Sequence, residues 1–198
     1  MIQKVSKGLC LDAGCGKGPH AQFYNGTVIF ADINYYFVSS ALARYCGTAK
    51  AYGVVSDIRY LPFPDSLFDF IVCSSVIEHL YEEDVLSTLD SLKLLTRGRL
   101  QIDVPNEDGI ISDLRKLLTR LGVYATGSSE DLALEHHSQF SPERLKGYGF
   151  EVRGCIGWVS SSRIKIGPIW DLYDSVAWRM PYVAGTLIGL YEKKQVKP

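Results

Sequence analysis

Several sets of residues in this chain have types and spacing suited to chemistry. Asp12-Ala13-Gly14-Cys15-Gly16-Lys17-Gly18 places three glycines at alternate positions, with an acid two residues before the first. Glycine has no Cβ and tolerates φ > 0, so such a loop can turn sharply and bring its backbone against a ligand. Following an apolar run, it is how a doubly wound α/β domain opens a nucleotide pocket. Asp32 ends a second apolar run, where a carboxylate can accept from both ribose hydroxyls. A dinucleotide fingerprint is broken, because its third glycine would fall at Pro19. A P-loop is excluded as well, since no Gly-Lys-Ser/Thr follows. Taken alone, the glycines also suit an ordinary tight turn between strand and helix. His20, His79, His136 and His137 are the candidates for moving protons near neutral pH.

The elements that must carry these residues alternate. Strands are expected at Gly8 to Ala13, Thr27 to Asp32, Tyr52 to Ser56, Phe68 to Ser74 and Arg99 to Val104. Val85, Leu86, Leu89, Leu92 and Leu95 recur at helical spacing, which predicts a helix over Glu82 to Thr96. A second amphipathic run spans Ile110 to Leu121, and Ser141-Pro142-Glu143 has the residue types of a helix start. Strand-like stretches follow at Phe150 to Val159 and Thr186 to Tyr191. Strands alternating with helices imply βαβ units and a parallel sheet.

Composition narrows the classes. At 198 residues one domain, 1–198, is the expectation. The net charge of −1 gives no field for attracting nucleic acid or an anionic membrane surface. Cys10, Cys15, Cys46, Cys73 and Cys155 form no CxxC pair and are odd in number, which fits a reduced, cytoplasmic chain. There is no signal peptide, lipidation motif or apolar run long enough to span a bilayer.

The stretch from Asp57-Ile58-Arg59-Tyr60-Leu61-Pro62-Phe63 through Phe68-Asp69-Phe70-Ile71-Val72-Cys73-Ser74 to Glu78-His79-Leu80 adds a resemblance. With Asp12-x-Gly-x-Gly-x-Gly, Val104-Pro105-Asn106, Glu135-His136 and Phe140-Ser141-Pro142-Glu143-x-Leu145, it resembles the class I S-adenosylmethionine-dependent methyltransferases. The similar branch is the small-molecule, type 11 one that includes quinone-biosynthesis enzymes. The resemblance covers roughly residues 9 to 159. It implies a Rossmann-like fold with a seven-stranded, mostly parallel sheet and an antiparallel last strand. It implies S-adenosyl-L-methionine as cofactor and methyl transfer, at oxygen or nitrogen, to a small-molecule acceptor by in-line displacement. Residue by residue, Gly14, Gly16 and Gly18 would pass beneath the methionine part, with Asp12 near the sulfonium and amino groups. Asp32 would take the ribose hydroxyls and Ile33 the adenine face. Asp57 would accept from the adenine amino group beside the Ile58 backbone, and Ser74 would border the methionine part. His79 and His136 are the candidate general bases, with His137 behind them.

Departures from the pattern shape further expectations. Quinone-pathway relatives associate a Glu-x-x-Glu-His element with a divalent metal; Ser75 stands at the first glutamate, so no metal and no catechol-type quinone is expected. Only about seven residues precede the first strand in this sequence, so a minimal N-terminus without the family's usual covering helices is expected. Two segments are candidates to close the site: residues 107–139 as a lid, and 160–183, with Trp170, Tyr173, Trp178 and Tyr182, as an aromatic cover, a hydrophobic-acceptor wall or a homodimer contact. Two other functions stay open: a cofactor-binding or interaction module without an acceptor pocket, and an NAD-dependent oxidoreductase, which Pro19 opposes. Nucleic-acid methylation is opposed by Ser74-Ser75-Val76-Ile77 in place of an Asn/Asp-Pro-Pro-aromatic element.

Overall fold

Short runs rich in apolar and β-branched residues form the strands, most of them within a residue of the expected start. A computed structural model of the chain describes residues 8–17, 20–21, 24–47, 49–109, 113, 117, 120–121, 136–155 and 175–193. The strands are β1 (Leu9–Ala13), β2 (Thr27–Asp32), β3 (Ala51–Val55), β4 (Phe68–Ser74), β5 (Thr96–Pro105), β6 (Glu151–Cys155) and β7 (Thr186–Glu192). The helices are α1 (Tyr35–Arg44), α2 (Glu82–Leu95) and α3 (Pro142–Gly147). The sheet has seven strands in the order β3-β2-β1-β4-β5-β7-β6. β1 runs parallel to β2 and β4, β2 runs parallel to β3, and β6 pairs antiparallel with β7. The expected α/β class with its antiparallel last strand is what the chain adopts. The strand order reverses at β1, which has β2 on one side and β4 on the other; open α/β sheets bind ligands beyond the carboxyl ends of strands at such a point.

The chain divides into two compact units: Met1–Val76 with Glu83–Ile102 and Tyr191–Pro198, and Ile77–Glu82 with Asp103–Leu190. In the first, alternate residues of β1, β2 and β4 (Cys10, Val28, Phe30, Phe70 and Val72) make one buried face with Val38 and Ala41 of α1. Leu11, Ile71 and Cys73, on the intervening positions, are buried as well, as a sheet covered on both sides requires. Asp69 fixes the entry of β1 and β4. Its carboxylate accepts from the Leu9 backbone at 2.8 Å and from two nitrogens of Arg97 at 2.7 and 2.8 Å. That is a strand-entry role, not a ligand's.

In the second unit Asn106 does the equivalent work. It is buried, and its side-chain amide donates to Pro181 and Ala184 carbonyls at 3.1 and 2.9 Å. Ser141 caps α3, its hydroxyl accepting from Arg144 N–H at 3.2 Å, with Pro142 in the first turn. Most of the helix expected over 110–121, most of the proposed lid, and residues 160–174 of the aromatic cover lie outside the described residues. Among those described, no helix is long and apolar enough to cross a membrane.

Candidate functional site

β1 delivers Asp12 and then breaks into the glycine turn. Gly14 and Gly16 both have left-handed backbones, with φ of 75° and 52°. Gly14 and Cys15 N–H both donate to the Ala31 carbonyl, at 2.8 and 3.0 Å, so the turn folds back over the end of β2. There Asp32 closes it. One carboxylate oxygen accepts from Gly16 N–H at 3.0 Å and the other from Asn34 N–H at 2.8 Å. Asn34 itself is the helix cap for α1, accepting from Tyr36 N–H at 2.9 Å, which leaves Asp32 free of that duty. Half-exposed, Asp32 keeps lone pairs for an outside donor. Ile33 beside it is 70% exposed, an apolar side chain open to a flat partner.

Asp12 is fully buried. One of its oxygens accepts from Ala21 N–H at 2.8 Å, while Oδ1 has no partner among the described residues. Burial raises its carboxyl to about 6, against the opposing pull of the Ala21 and His20 backbone N–H groups and the His20 charge. A buried carboxylate oxygen without a donor is rare, and it marks a place for one. Cys15, in the same turn, is buried, and its thiol is pushed up to about 12 by burial and by Asp12 and Asp32.

β4 ends beside this turn. Ser74 is buried, and Ser75 adopts a left-handed backbone, φ 56°, which is uncommon for a residue with a Cβ. The kink seats Val76 over Gly14 so closely that a Cβ there would lie 2.3 Å from Val76 Cγ2. In the sequence Ser75 and Val76 stand out only for the motif residues they replace; their closure over Gly14 does not show there, because the contact joins two strand ends that are remote in the chain.

Asp57 caps the 3₁₀ turn Ile58–Tyr60, accepting from Arg59 N–H at 2.9 Å. Both its oxygens also hold the Arg59 guanidinium, at 2.7 to 3.2 Å, and Arg59 reaches Asp84 at 2.9 Å. Hydrogen bonding to Arg59 lowers the Asp57 carboxyl below its ordinary value. Thus Asp57, expected to meet a base's amino group, is already engaged with a cation. Gly18 lies outside the described residues.

The second unit holds a different cluster. The 3₁₀ turn Ile77–His79 presents Glu78, only 2% exposed, beside half-buried His79. The Glu78 carbonyl accepts from His137 N–H at 2.9 Å and Ser138 N–H at 3.0 Å, and Ser138 Oγ donates to Leu80 O at 2.8 Å. These bonds pin residues 137–138 to the turn and bring His136 to His79, with ring centres 5.1 Å apart. One ligand atom each of Glu78, His79 and His136 lie within 4.8 Å of one another. Glu78 Oε2 is buried, with no partner among the described residues. Burial, aided by Asp103 and Glu107, raises the Glu78 carboxyl to about 7. His136 Nδ1 lies 3.4 Å from Glu107 Oε1. His137 turns elsewhere and stacks on Tyr81 at 4.4 Å. The structure therefore groups two of the expected histidines and separates the third.

Comparison with known proteins agrees with the fold. Residues 11–98 match the model of a family described as a methyltransferase domain. An uncharacterised protein of Methanocaldococcus jannaschii is 34% identical over 107 residues, covering 53% of this chain and 44% of its own length. The chain thus spans less than half of that curated relative. Among solved structures, a SAM-dependent methyltransferase of Archaeoglobus fulgidus aligns with TM-score 0.58 at 19% identity, over 96% of this chain and 87% of that one. A possible histamine N-methyltransferase of Thermotoga maritima gives 0.60 at 16%, over 96% and 84%. Magnesium protoporphyrin IX methyltransferase of Synechocystis, with bound SAH, gives 0.56 at 18%, over 94% and 74%. At these identities the structures speak for the fold.

Proposed function

We propose that this chain, of which residues 11–98 match a methyltransferase-domain family, is a class I S-adenosylmethionine-dependent methyltransferase of the type 11 kind that transfers a methyl group from S-adenosylmethionine to oxygen or nitrogen of a small molecule. The observation that carries the reading is the buried, donor-less Asp12 Oδ1 beside a left-handed glycine turn at the switch point of the sheet.

The residues fit this cofactor. When bound, it supplies a methyl group on a sulfonium, activated for in-line displacement with a neutral thioether leaving. Asp12 Oδ1 would accept from the ammonium of its methionine part, a charge-assisted bond that satisfies the orphan oxygen. Gly14 and Gly16 present backbone without side chains along that part, and Ser74 borders it. Asp32 is held by Gly16 and Asn34 and would accept from the ribose hydroxyls. Ile33 would cover one face of the adenine. Because Arg59 occupies the Asp57 carboxylate, recognition of the adenine edge falls chiefly to the backbone at Ile58. Alignment and exclusion of water are what the protein adds to such a displacement. An oxygen or nitrogen acceptor also sheds a proton, and His79 and His136 are the groups proposed for it. A lid role for 107–139, a homodimer contact through 160–183 and residence in the cytoplasm, where the free cysteines would stay reduced, belong to the same proposal.

The test is calorimetry followed by turnover. S-adenosylmethionine should bind and NAD should not, and Asp32→Ala should weaken binding by about 1–3 kcal/mol for a lost charge-assisted acceptor. Methyl-labelled cofactor incubated with a small-molecule extract should then label a product. NAD winning in calorimetry would overturn the cofactor. Binding with no labelled product from any extract would favour a cofactor-binding module instead.

A further inference from the structure

The cluster in the second unit has a capacity that proton transfer alone does not use. One atom each of Glu78, His79 and His136 lie within 4.8 Å of one another. An ionised carboxyl and two neutral imidazoles supply three hydrogen-bond acceptors. Burial grades across them. Glu78 is 2% exposed, His79 is half-buried and His136 is exposed, so the acid is the floor and His136 the rim. Glu78 Oε2 has no partner among the described residues. A carboxylate in a protein interior is costly unless a cation completes it. Asp103 and Glu107 add negative charge that reaches Glu78. Arg144, the cation nearest in sequence to the 136–138 segment, is directed to Glu82, Gln139 and Tyr148. Glu107 Oε1 lies 3.4 Å from His136 Nδ1, so a proton on Nδ1 faces Glu107 and leaves Nε2 to accept.

We propose that Glu78, His79 and His136 form the subsite that holds the primary ammonium group of the methyl acceptor. The inference rests on the reading of the chain as a methyltransferase, and it narrows the acceptor to an amine. Number and spacing both match. A primary ammonium has three N–H donors, and the cluster offers three acceptors, one of them charged. With charge-assisted bonds of about 2.8 Å at tetrahedral angles, an ammonium sets its acceptors about 4.6 Å apart. The 4.8 Å span of the cluster admits it as it stands. A metal ion, with bonds of about 2.0–2.2 Å, would have to draw the same atoms in to ~3.4 Å. A quaternary ammonium has the charge but no N–H, and a hydroxyl has one donor and no charge, so neither satisfies floor and rim together. An anionic group is repelled by Glu78, Asp103 and Glu107. The histidines keep the part already proposed for them. One imidazole takes a proton from the bound ammonium, its N–H bond breaking and the lone pair returning to nitrogen, while the Glu78 carboxylate balances the new imidazolium. The amine nitrogen is then the atom that receives the methyl group.

The experiment is saturation-transfer NMR on the full chain without cofactor, at about pH 8, where an ordinary imidazole is neutral and an alkylamine still protonated. EDTA is present so that no metal ion bridges protein and probe. The probes share one frame: phenethylamine, 2-phenylethanol and trimethyl(2-phenylethyl)ammonium. The primary amine should bind at least about tenfold more tightly than either of the others, for its charge-assisted bonds. Glu78→Gln and His136→Ala should each erase most of that preference. Glu151→Gln, which removes the same charge from beside Arg153 on the edge strand, should leave it unchanged. His136 is exposed, so its variant folds even if the Glu78 variant does not. With methyl-labelled cofactor, a small-molecule extract split on a cation exchanger should yield labelled product from the retained fraction. Equal affinity for amine and alcohol, an amine preference that survives His136→Ala, or labelled product from the unretained fraction alone would each overturn the proposal. Failure of S-adenosylmethionine to bind in calorimetry would overturn the methyltransferase reading, and the amine preference is read separately from it.

Discussion

Replacing Gly14 by alanine should cost stability through two separable effects. At φ 75° the backbone is in the left-handed region, which costs an L-residue roughly 1–2 kcal/mol. The new Cβ would also lie 2.3 Å from Val76 Cγ2 and 3.0 Å from Cγ1, an overpacking that typically costs about 1–3 kcal/mol. Together the loss is roughly 2–5 kcal/mol, or a fall in Tm of about 4–20 °C for a chain of this size. Val76→Ala removes the obstructing methyls, so in a double-mutant cycle the pair should couple by about 1–3 kcal/mol, with the backbone part remaining. Gly16 is an internal control. Its φ is 52°, but a Cβ there meets nothing within 4 Å. Gly16→Ala should therefore cost roughly 1–2 kcal/mol and show no coupling to Val76. Urea unfolding of the wild type, the three single variants and the two doubles with Val76→Ala measures all of this. Coupling near zero at Gly14, or equal coupling at Gly16, would refute the idea that Val76 closes over the turn.

Two further outcomes follow from buried polar groups. Because burial raises the Asp12 carboxyl from 3.8 to about 6, the folded cofactor-free protein holds a proton that the unfolded chain gives up. The stability it contributes is present below pH ~4 and lost as pH rises through about 6, on the order of 3 kcal/mol at ~1.4 kcal/mol per tenfold change in proton affinity. S-adenosylmethionine, which is cationic, should bind more tightly as pH rises over the same window. Asp12→Asn should flatten both profiles in denaturation and calorimetry, and a wild-type-minus-variant difference that stays level would remove Asp12 from the argument. Asn106→Ala should cost roughly 2–4 kcal/mol in urea unfolding, since the Pro181 and Ala184 carbonyls lose their donor.

How far the sequence can be read depends on whether a feature is local. β2 and β4 have the ends their residues suggest, because each is an unbroken run of β-formers bounded by turn residues. β5 begins at Thr96, three residues before its apolar pattern, because α2 passes into it without a loop and Thr96 Oγ1 bonds to the Phe68 carbonyl. α1 is faint in sequence: its tyrosines, serines and valine are weak helix formers, and only Val38 and Ala41 are buried. In the candidate site, Asp12, the glycines and Asp32 announce themselves by spacing along the chain. The wedge of Val76 and the meeting of His136 with Glu78 and His79 do not. Each depends on a contact that exists only after the chain has folded, and no periodicity encodes it.

The burial of Cys15 in the glycine turn has a practical consequence. Thiol reagents attack the thiolate, and this one forms only near pH 12. Cys10 and Cys73 are buried too, and burial pushes the Cys10 thiol well above its ordinary range. Cys46, just beyond the end of α1, is the exposed thiol of the chain. A maleimide dye added near neutral pH would therefore mark Cys46 first, giving a fluorescent reporter one helix away from the turn while leaving the turn itself chemically untouched.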